Sequence, residues 1–476
     1  MELNSRALEN FKKNFDMNPQ FQVSKNAISS SSLKRVVLDR NSLQKETNDI
    51  HSKIIDVKVS STDQEYSGRC WMFANLNVIR LDFIKKMNLE DNFEFSQNYL
   101  FFYDKLEGAN YFLDKIVETH DLPLDSRTVH WLLSEPCSDG GTFTNFSDLI
   151  HKYGIVPKTI MKDSHHAKNS DQMNNILKNT LREVAYKIRE TKSLATIKTI
   201  IEETMEKVYN LLVIFLGEPP KNFVWEYNKK GTFSRKRKSK SKSNKGTKKK
   251  NKKNKKNKKK KGGGVFRRIG EITPQEFFKK YVPFNKEDYV ALIDYPSKKR
   301  NEVYNVKYSN QVLDGSPNSY FNVPVELIQS VCRKSIEKDK AVWFGADVGK
   351  YSVTSLGIMD KNAFKLRETL GTETEIEKGL QLIHHIANNS HAMVFKGFTK
   401  DTDGKTTHWL VENSWGNSTG KNGNFRMTNE WFGEFVFSAV VHKKFIPKNL
   451  LEIYNKRKKK QIQLEPWDPF GNLLKL

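Results

Sequence analysis

One cysteine, Cys70, stands in the stretch SGRCWMFANLNVIR, residues 67–80, where a small polar loop gives way to an apolar-periodic run. Phe73, Leu76, Phe83, Ile84 and Met87 recur after it at helical spacing, which predicts a helix starting at Cys70. A thiol at a helix N-terminus meets unpaired N–H groups and the positive end of the macrodipole. Both favour the thiolate, which is the nucleophilic form. The competing reading is a buried cysteine that acts only as a small hydrophobe. A partner base decides between the two.

Eleven histidines are available. The segment SHAMVFKGFTKDTDGKTTHWLVENSWGNSTGKNGNF reads as two strands, about 391–398 and 406–413, joined by a polar turn containing KDTDGK. A turn centred near Thr402 sets His391 opposite Asn413, with both side chains on one face of the hairpin. His408 is five residues from Asn413 along the same strand and faces the other way. A one-residue bulge would undo that parity. The expected base is therefore His391, paired with the Asn413 amide. His384, His385, His165 and His166 have no Cys, Asp or Glu companions at ligand spacing, so no metal and no cofactor is expected.

The chain that must position these groups has 476 residues, 37% of them apolar, enough for two or more domains or one large domain with insertions. Cys70, Cys137 and Cys332 are widely spaced and odd in number, which rules out a disulfide framework and points to a reducing compartment. The start, MELNSRALENFKKNFDMNPQF, has no apolar signal-peptide core. The longest apolar run, LLVIFLG at 211–217, is far short of the ~20 residues of a membrane span. A soluble, cytoplasmic protein is expected, with no membrane partner.

The formal charge is +26, but residues 235–261 carry 18 Lys or Arg and no acid, leaving +8 for the rest. This tract, Ser234–Gly264, has no apolar residue to bury and repels itself, so it reads as a disordered loop inserted within a domain. It is suited to nonspecific nucleic-acid contact or nuclear import, but no base-reading motif accompanies it. Helical periodicity runs over about 165–216 and again near 94–117, while sequence after Ala341 is strand-rich. The fold class is α+β with a helical insertion.

Six segments together carry a family resemblance: QEYSGRCWMFANLNVIR, FSQNYLFFYDKLEGANYFL, SDGGTFTNFSDLIHKYGIVPK, AVWFGADVGK, SHAMVF and VENSWGNSTGKNGNFRMTNEWF. In order and spacing they resemble the bleomycin hydrolase family, the intracellular branch of the papain-like cysteine peptidases. The Lys-rich tract is the main departure from that pattern. The resemblance implies Cys70 as nucleophile, His391 as general base and acid, Asn413 as the group orienting the imidazole, and Gln64 as an oxyanion-hole donor beside the Cys70 N–H. It also implies that Trp415 shields the contact between Asn413 and His391. SDGG, Ser138 to Gly141, resembles the segment that binds extended substrate, with Gly140 and Gly141 allowing close approach; an ordinary turn is the alternative.

The resemblance divides the chain into an N-terminal arm (1–60), a helical half of the catalytic core (61–160), a helical insertion including the Lys-rich loop (161–340), a β half with His391 and Asn413 (341–450) and a C-terminal arm (451–476). It implies a homohexameric cysteine aminopeptidase acting on peptides, and on bleomycin-type amides as a further substrate class. Its arm, ending LEPWDPFGNLLKL, would enter the cleft and present a terminal carboxylate to the substrate amine. Lys475 and Leu476 overhang the family ending, so self-trimming to Leu474 is expected, a frayed tail being the alternative. The alternative function is a polyanion-binding protein acting through the Lys-rich tract.

Overall fold

The computed structural model of the chain describes residues 3–57, 59–89, 93–230, 264–372 and 376–472. The Lys-rich tract, apart from Gly264, and the last four residues, Leu474 among them, lie outside the described residues.

Two helices open the chain, α1 (Ser5–Asp16) and α2 (Pro19–Ser30). Each starts at an asparagine, Asn4 or Asn18, whose side chain accepts from first-turn N–H groups. No residue of α1 is buried: Leu8, Phe11 and Phe15 share one face and are 55%, 50% and 37% exposed. Helix α3 (Cys70–Met87) is the opposite case, buried on nearly every side, and its apolar residues are accordingly not confined to one stripe. Around it lie α4 (Gln97–Glu118), α5 (Asp171–Glu190) and α6 (Leu194–Leu216), with α5 and α6 packed on α4. The periodic region at 165–216 is thus one short turn, His165–Lys168, followed by two long helices.

A hairpin follows, β1 (Phe223–Lys229) and β2 (Val265–Ile272), in which Lys229 pairs with Val265. The described strands on either side of residues 231–263 therefore meet as cross-strand neighbours at Lys229 and Val265. The main sheet takes β3 (Tyr289–Ile293), β4 (Val303–Val306) and β5 (Tyr320–Asn322) before helix α7 (Val325–Glu337). After it come β6 (Val342–Ala346), β7 (His391–Lys400), β8 (Thr406–Glu412), β9 (Asn424–Thr428), β10 (Val436–His442) and β11 (Ile462–Leu464). Their spatial order is β11-β4-β5-β3-β10-β6-β7-β8-β9. Residues 289–322, grouped on sequence with the helical insertion, supply three of these strands. They are too short to show a period of their own.

Strand β7 separates two cores. Ala392 and Val394 join the cluster around α3, whereas Met393 and Phe395 join the cluster around α7. Burial on both faces explains why HAMVF reads as an unbroken apolar run.

The hairpin register differs from its sequence expectation in two ways. Val394 pairs with Glu412, where a turn centred on Thr402 would set it opposite Leu410. A shift of two residues leaves every side chain on its expected face. A bulge also occurs at Lys396 of β7, between Phe395 and Gly397, and a second irregularity skips Thr407 of β8, outside the span from His408 to Asn413. Parity between His408 and Asn413 is therefore untouched. Next to the bulge, Glu412 accepts from Arg80 of α3 at 2.5 Å and from Lys396 at 3.1 Å, all three side chains being buried or nearly so. Removing one member of such a buried set costs about 3–5 kcal/mol, so the triad fixes the hairpin against the helix that begins at Cys70.

Candidate active site

Helix α3 starts at Cys70 itself, as its periodicity predicts, and the thiol is buried at 3% exposure. The N–H of Ala392, the second residue of β7, lies against that thiol together with the N–H groups of Cys70 and Trp71. Helix and strand thus bring Cys70 and His391 to one place.

His391 Nε2 is 2.7 Å from Asn413 Oδ1. The same Oδ1 accepts the Ser414 N–H at 2.7 Å, which identifies it as the oxygen of the amide. Nε2 must therefore carry the hydrogen, and the Nδ1 lone pair is left to take a proton. The Trp415 ring lies 4.7 Å from the imidazole, centroid to centroid, and screens the contact. His408 is elsewhere: its Nε2 meets Glu46 at 2.9 Å, on the face of β8 away from Asn413.

Burial acts against a charge on either partner taken singly. It pushes the Cys70 thiol up to about 11, against the pull of the neighbouring N–H groups, and the His391 imidazole down to about 4, against the Asn413 contact. The start of a helix is thus insufficient to make a thiolate here, contrary to the argument from sequence position alone. A proton passed from sulfur to imidazole would create both charges together, and their mutual attraction in a dry site would offset the cost of burying each.

Gln64 is 7% exposed, and its amide is held at both ends. Its Oε1 accepts from Ser414 Oγ at 2.6 Å, and its Nε2 donates to Ser67 O at 2.7 Å. These two contacts use one of the two N–H groups of the amide. Ser414 therefore links the amide beside His391 to the amide beside Cys70. Sequence reasoning passed over it because strand alternation ends at Glu412, just before it.

Gly141 packs closely against Trp71, the residue after Cys70: a Cβ there would stand 2.5 Å from the Trp71 indole. Gly140 O accepts from Gln311 Nε2 at 2.6 Å. Both glycines line a cavity of about 350 Å³ that also touches Pro466 and Gly471 of the C-terminal segment. That segment is anchored as far as Phe470, which is fully buried among Tyr295, Tyr304 and Tyr320 at 5.7–6.0 Å. Leu474 lies outside the described residues. Cys70, Cys137 and Cys332 are all buried and unpaired. Among the described residues, no group of His, Cys, Asp and Glu is arranged to hold a metal, and no helix is long and apolar enough to cross a membrane.

Comparison with known proteins places these features in context. The model of the Peptidase C1-like family matches residues 2–257 and 255–471. Aminopeptidase C of Listeria monocytogenes is 36% identical over 99% of both chains. Bleomycin hydrolase of Homo sapiens is 34% identical over 99% of this chain and 98% of its own. The solved structure of PepW from Lactobacillus rhamnosis superposes with a TM-score of 0.89 at 33% identity, covering 99% of each chain.

Proposed function

The chain belongs to the Peptidase C1-like family, and from that premise we propose how its residues carry the chemistry of a cysteine aminopeptidase of the bleomycin hydrolase type. The observation that carries the reading is the 2.7 Å contact fixing His391 by Asn413 beside a cysteine at the first turn of a buried helix. His391 Nδ1 takes the Cys70 proton, and the sulfur attacks the scissile carbonyl carbon. The oxyanion is held by the free N–H of Gln64 and the N–H of Cys70. The imidazolium then gives its proton to the leaving amine as the C–N bond breaks, leaving a thioester. Water, deprotonated by His391, attacks that thioester and restores the thiol.

The free N-terminus of the substrate is recognised by the C-terminal arm, which fills the cleft beyond Gly140 and Gly141. The anchoring of Phe470 and the position of Gly471 beside those glycines support this. In this reading self-trimming leaves Leu474 as the terminus. Truncation before Gly471 is expected to raise cleavage within amino-blocked peptides at least tenfold relative to free-amine peptides, measured as a ratio of kcat/KM values. An unchanged ratio would mean that the arm does not set the specificity.

The proposed assembly is a homohexamer in the cytoplasm, with the exposed apolar face of α1 as one contact between copies and three unpaired cysteines fitting a reducing compartment. The proposed five-part division of the chain keeps the arms at residues 1–60 and 451–476. The polyanion-binding alternative rests on residues outside the described ones, whereas full-length likeness to aminopeptidases favours the peptidase. Nucleic-acid contact fits as an accessory property. Because Lys229 and Val265 are already paired, replacing residues 231–263 with Asn-Gly is expected to leave kcat/KM within twofold. The same change is expected to remove salt-sensitive binding to DNA; loss of catalysis in a folded variant would contradict it.

A further inference from the structure

Asp139, in the loop that precedes Gly140 and Gly141, reaches both sides of the nucleophile. Its Oδ2 accepts the Gly68 N–H at 3.1 Å, two residues before Cys70, and its backbone oxygen accepts Trp71 Nε1 at 2.7 Å, one residue after. The contact with Gly68 is close as well as polar: a Cβ on Gly68 would stand 2.7 Å from Asp139 Cβ.

The carboxylate takes three further donors. They are Lys105 Nζ of α4 at 2.5 Å, Asn174 Nδ2 of α5 at 2.7 Å and the hydroxyl of Ser170 just before α5. Lys105 is fully buried and also donates to Ser138 O at 2.6 Å. Two helices from separate parts of the chain thus converge on one carboxylate whose remaining contact is the nucleophile loop.

We infer that Asp139 is the positioning residue that fixes the backbone around Cys70, and that Lys105 is the cation that makes its charge tolerable there. The inference rests on the assignment of Cys70 as nucleophile. A neutral amide cannot replace the carboxylate, because all four partners are donors and an Asn side chain would turn a donor of its own toward one of them. Loosening Gly68 and Trp71 moves the Cys70 N–H, so the loss falls on the step in which the oxyanion forms.

The arrangement has an electrostatic signature. Burial works against the charge on Asp139, but Lys105, Ser170 and Gly68 hold it well below the usual carboxylate range. Asp139 in turn raises the Cys70 thiol. The other charged or titratable groups near the cluster are Asp104 on α4, Cys137, the Glu135–Lys178 pair and, next to Gly68, the Arg69–Asp163 pair at 2.8 Å. Burial pushes Asp104 up to about 8 and Cys137 up to about 11, so both are neutral on the acid side of the profile. There the charges that change between variants are those of Asp139 and Lys105.

The test is the pH dependence of kcat/KM and of Cys70 alkylation by iodoacetamide, read by mass spectrometry, in wild type, Asp139→Asn, Lys105→Met and the double variant. Asp139→Asn removes an anion and leaves Lys105 unopposed, so its acid limb is expected to move to lower pH by about half a unit or more. Lys105→Met leaves the anion unopposed and is expected to move the limb to higher pH. The double variant is expected to return the limb to its wild-type position, with kcat still at least tenfold down and KM within threefold. Falls in activity with no displacement of the limb, in folded variants, would overturn the positioning role. If wild-type alkylation of Cys70 does not follow the pH profile of hydrolysis, the nucleophile assignment fails instead.

Discussion

Cys70→Ala is expected to lower kcat for a free-amine peptide by about 10⁶-fold, to the level of background hydrolysis, since the nucleophile and its base act as a unit. The fold should survive. The substitution removes one sulfur from the first turn of α3, alanine is the best helix former, and the small cavity costs about 1 kcal/mol. Cys137→Ala and Cys332→Ala delete thiols at 6% and 0% exposure that make no contact with His391, and their activity should stay within about twofold of wild type. The comparison is by single-turnover kinetics, with Tm measured alongside. Normal turnover by Cys70→Ala would remove the mechanism altogether.

The second large effect separates the two histidines of the hairpin. His391→Ala is expected to lower kcat by about 10⁴-fold or more, because neither thiol deprotonation nor leaving-group protonation then has a partner. His408→Ala removes a contact with Glu46 on the opposite face, and is expected to cost at most about 1 kcal/mol of stability. Its kcat should stay near wild type. Steady-state rates and Tm for the pair check this, and reversed outcomes would mean that the wrong imidazole had been assigned.

That His391, and not His408, meets Asn413 was legible in the sequence because it needs only strand parity. The pairing is displaced by two residues, β7 bulges at Lys396 and β8 skips Thr407, yet none of these alters the face that β8 presents between His408 and Asn413. The start of α3 was legible for a similar reason, since a polar loop ends where apolar periodicity begins. Strands β3, β4 and β5 were not, because runs of three to five residues carry no readable period and gain their place only by pairing in the sheet. Ser414 and Asp139 escaped for a different reason. Their roles depend on hydrogen bonds to Gln64 and Gly68, residues 350 and 71 positions away, and no local pattern announces such a contact. The charge state of Cys70 was also only half legible. A helix start argues for thiolate, whereas the depth of burial that opposes it is a property of the packed chain.

The central claim is that one cysteine of three is the nucleophile and that its reactivity depends on His391. It is tested most directly by titrating the wild-type enzyme with a peptidyl electrophile that alkylates thiolates, and mapping the adduct by mass spectrometry as activity falls. One equivalent per chain, on Cys70 alone, with activity lost in proportion and no labelling of His391→Ala, is the result predicted. Adducts on Cys137 or Cys332, or full activity with Cys70 alkylated, would contradict it.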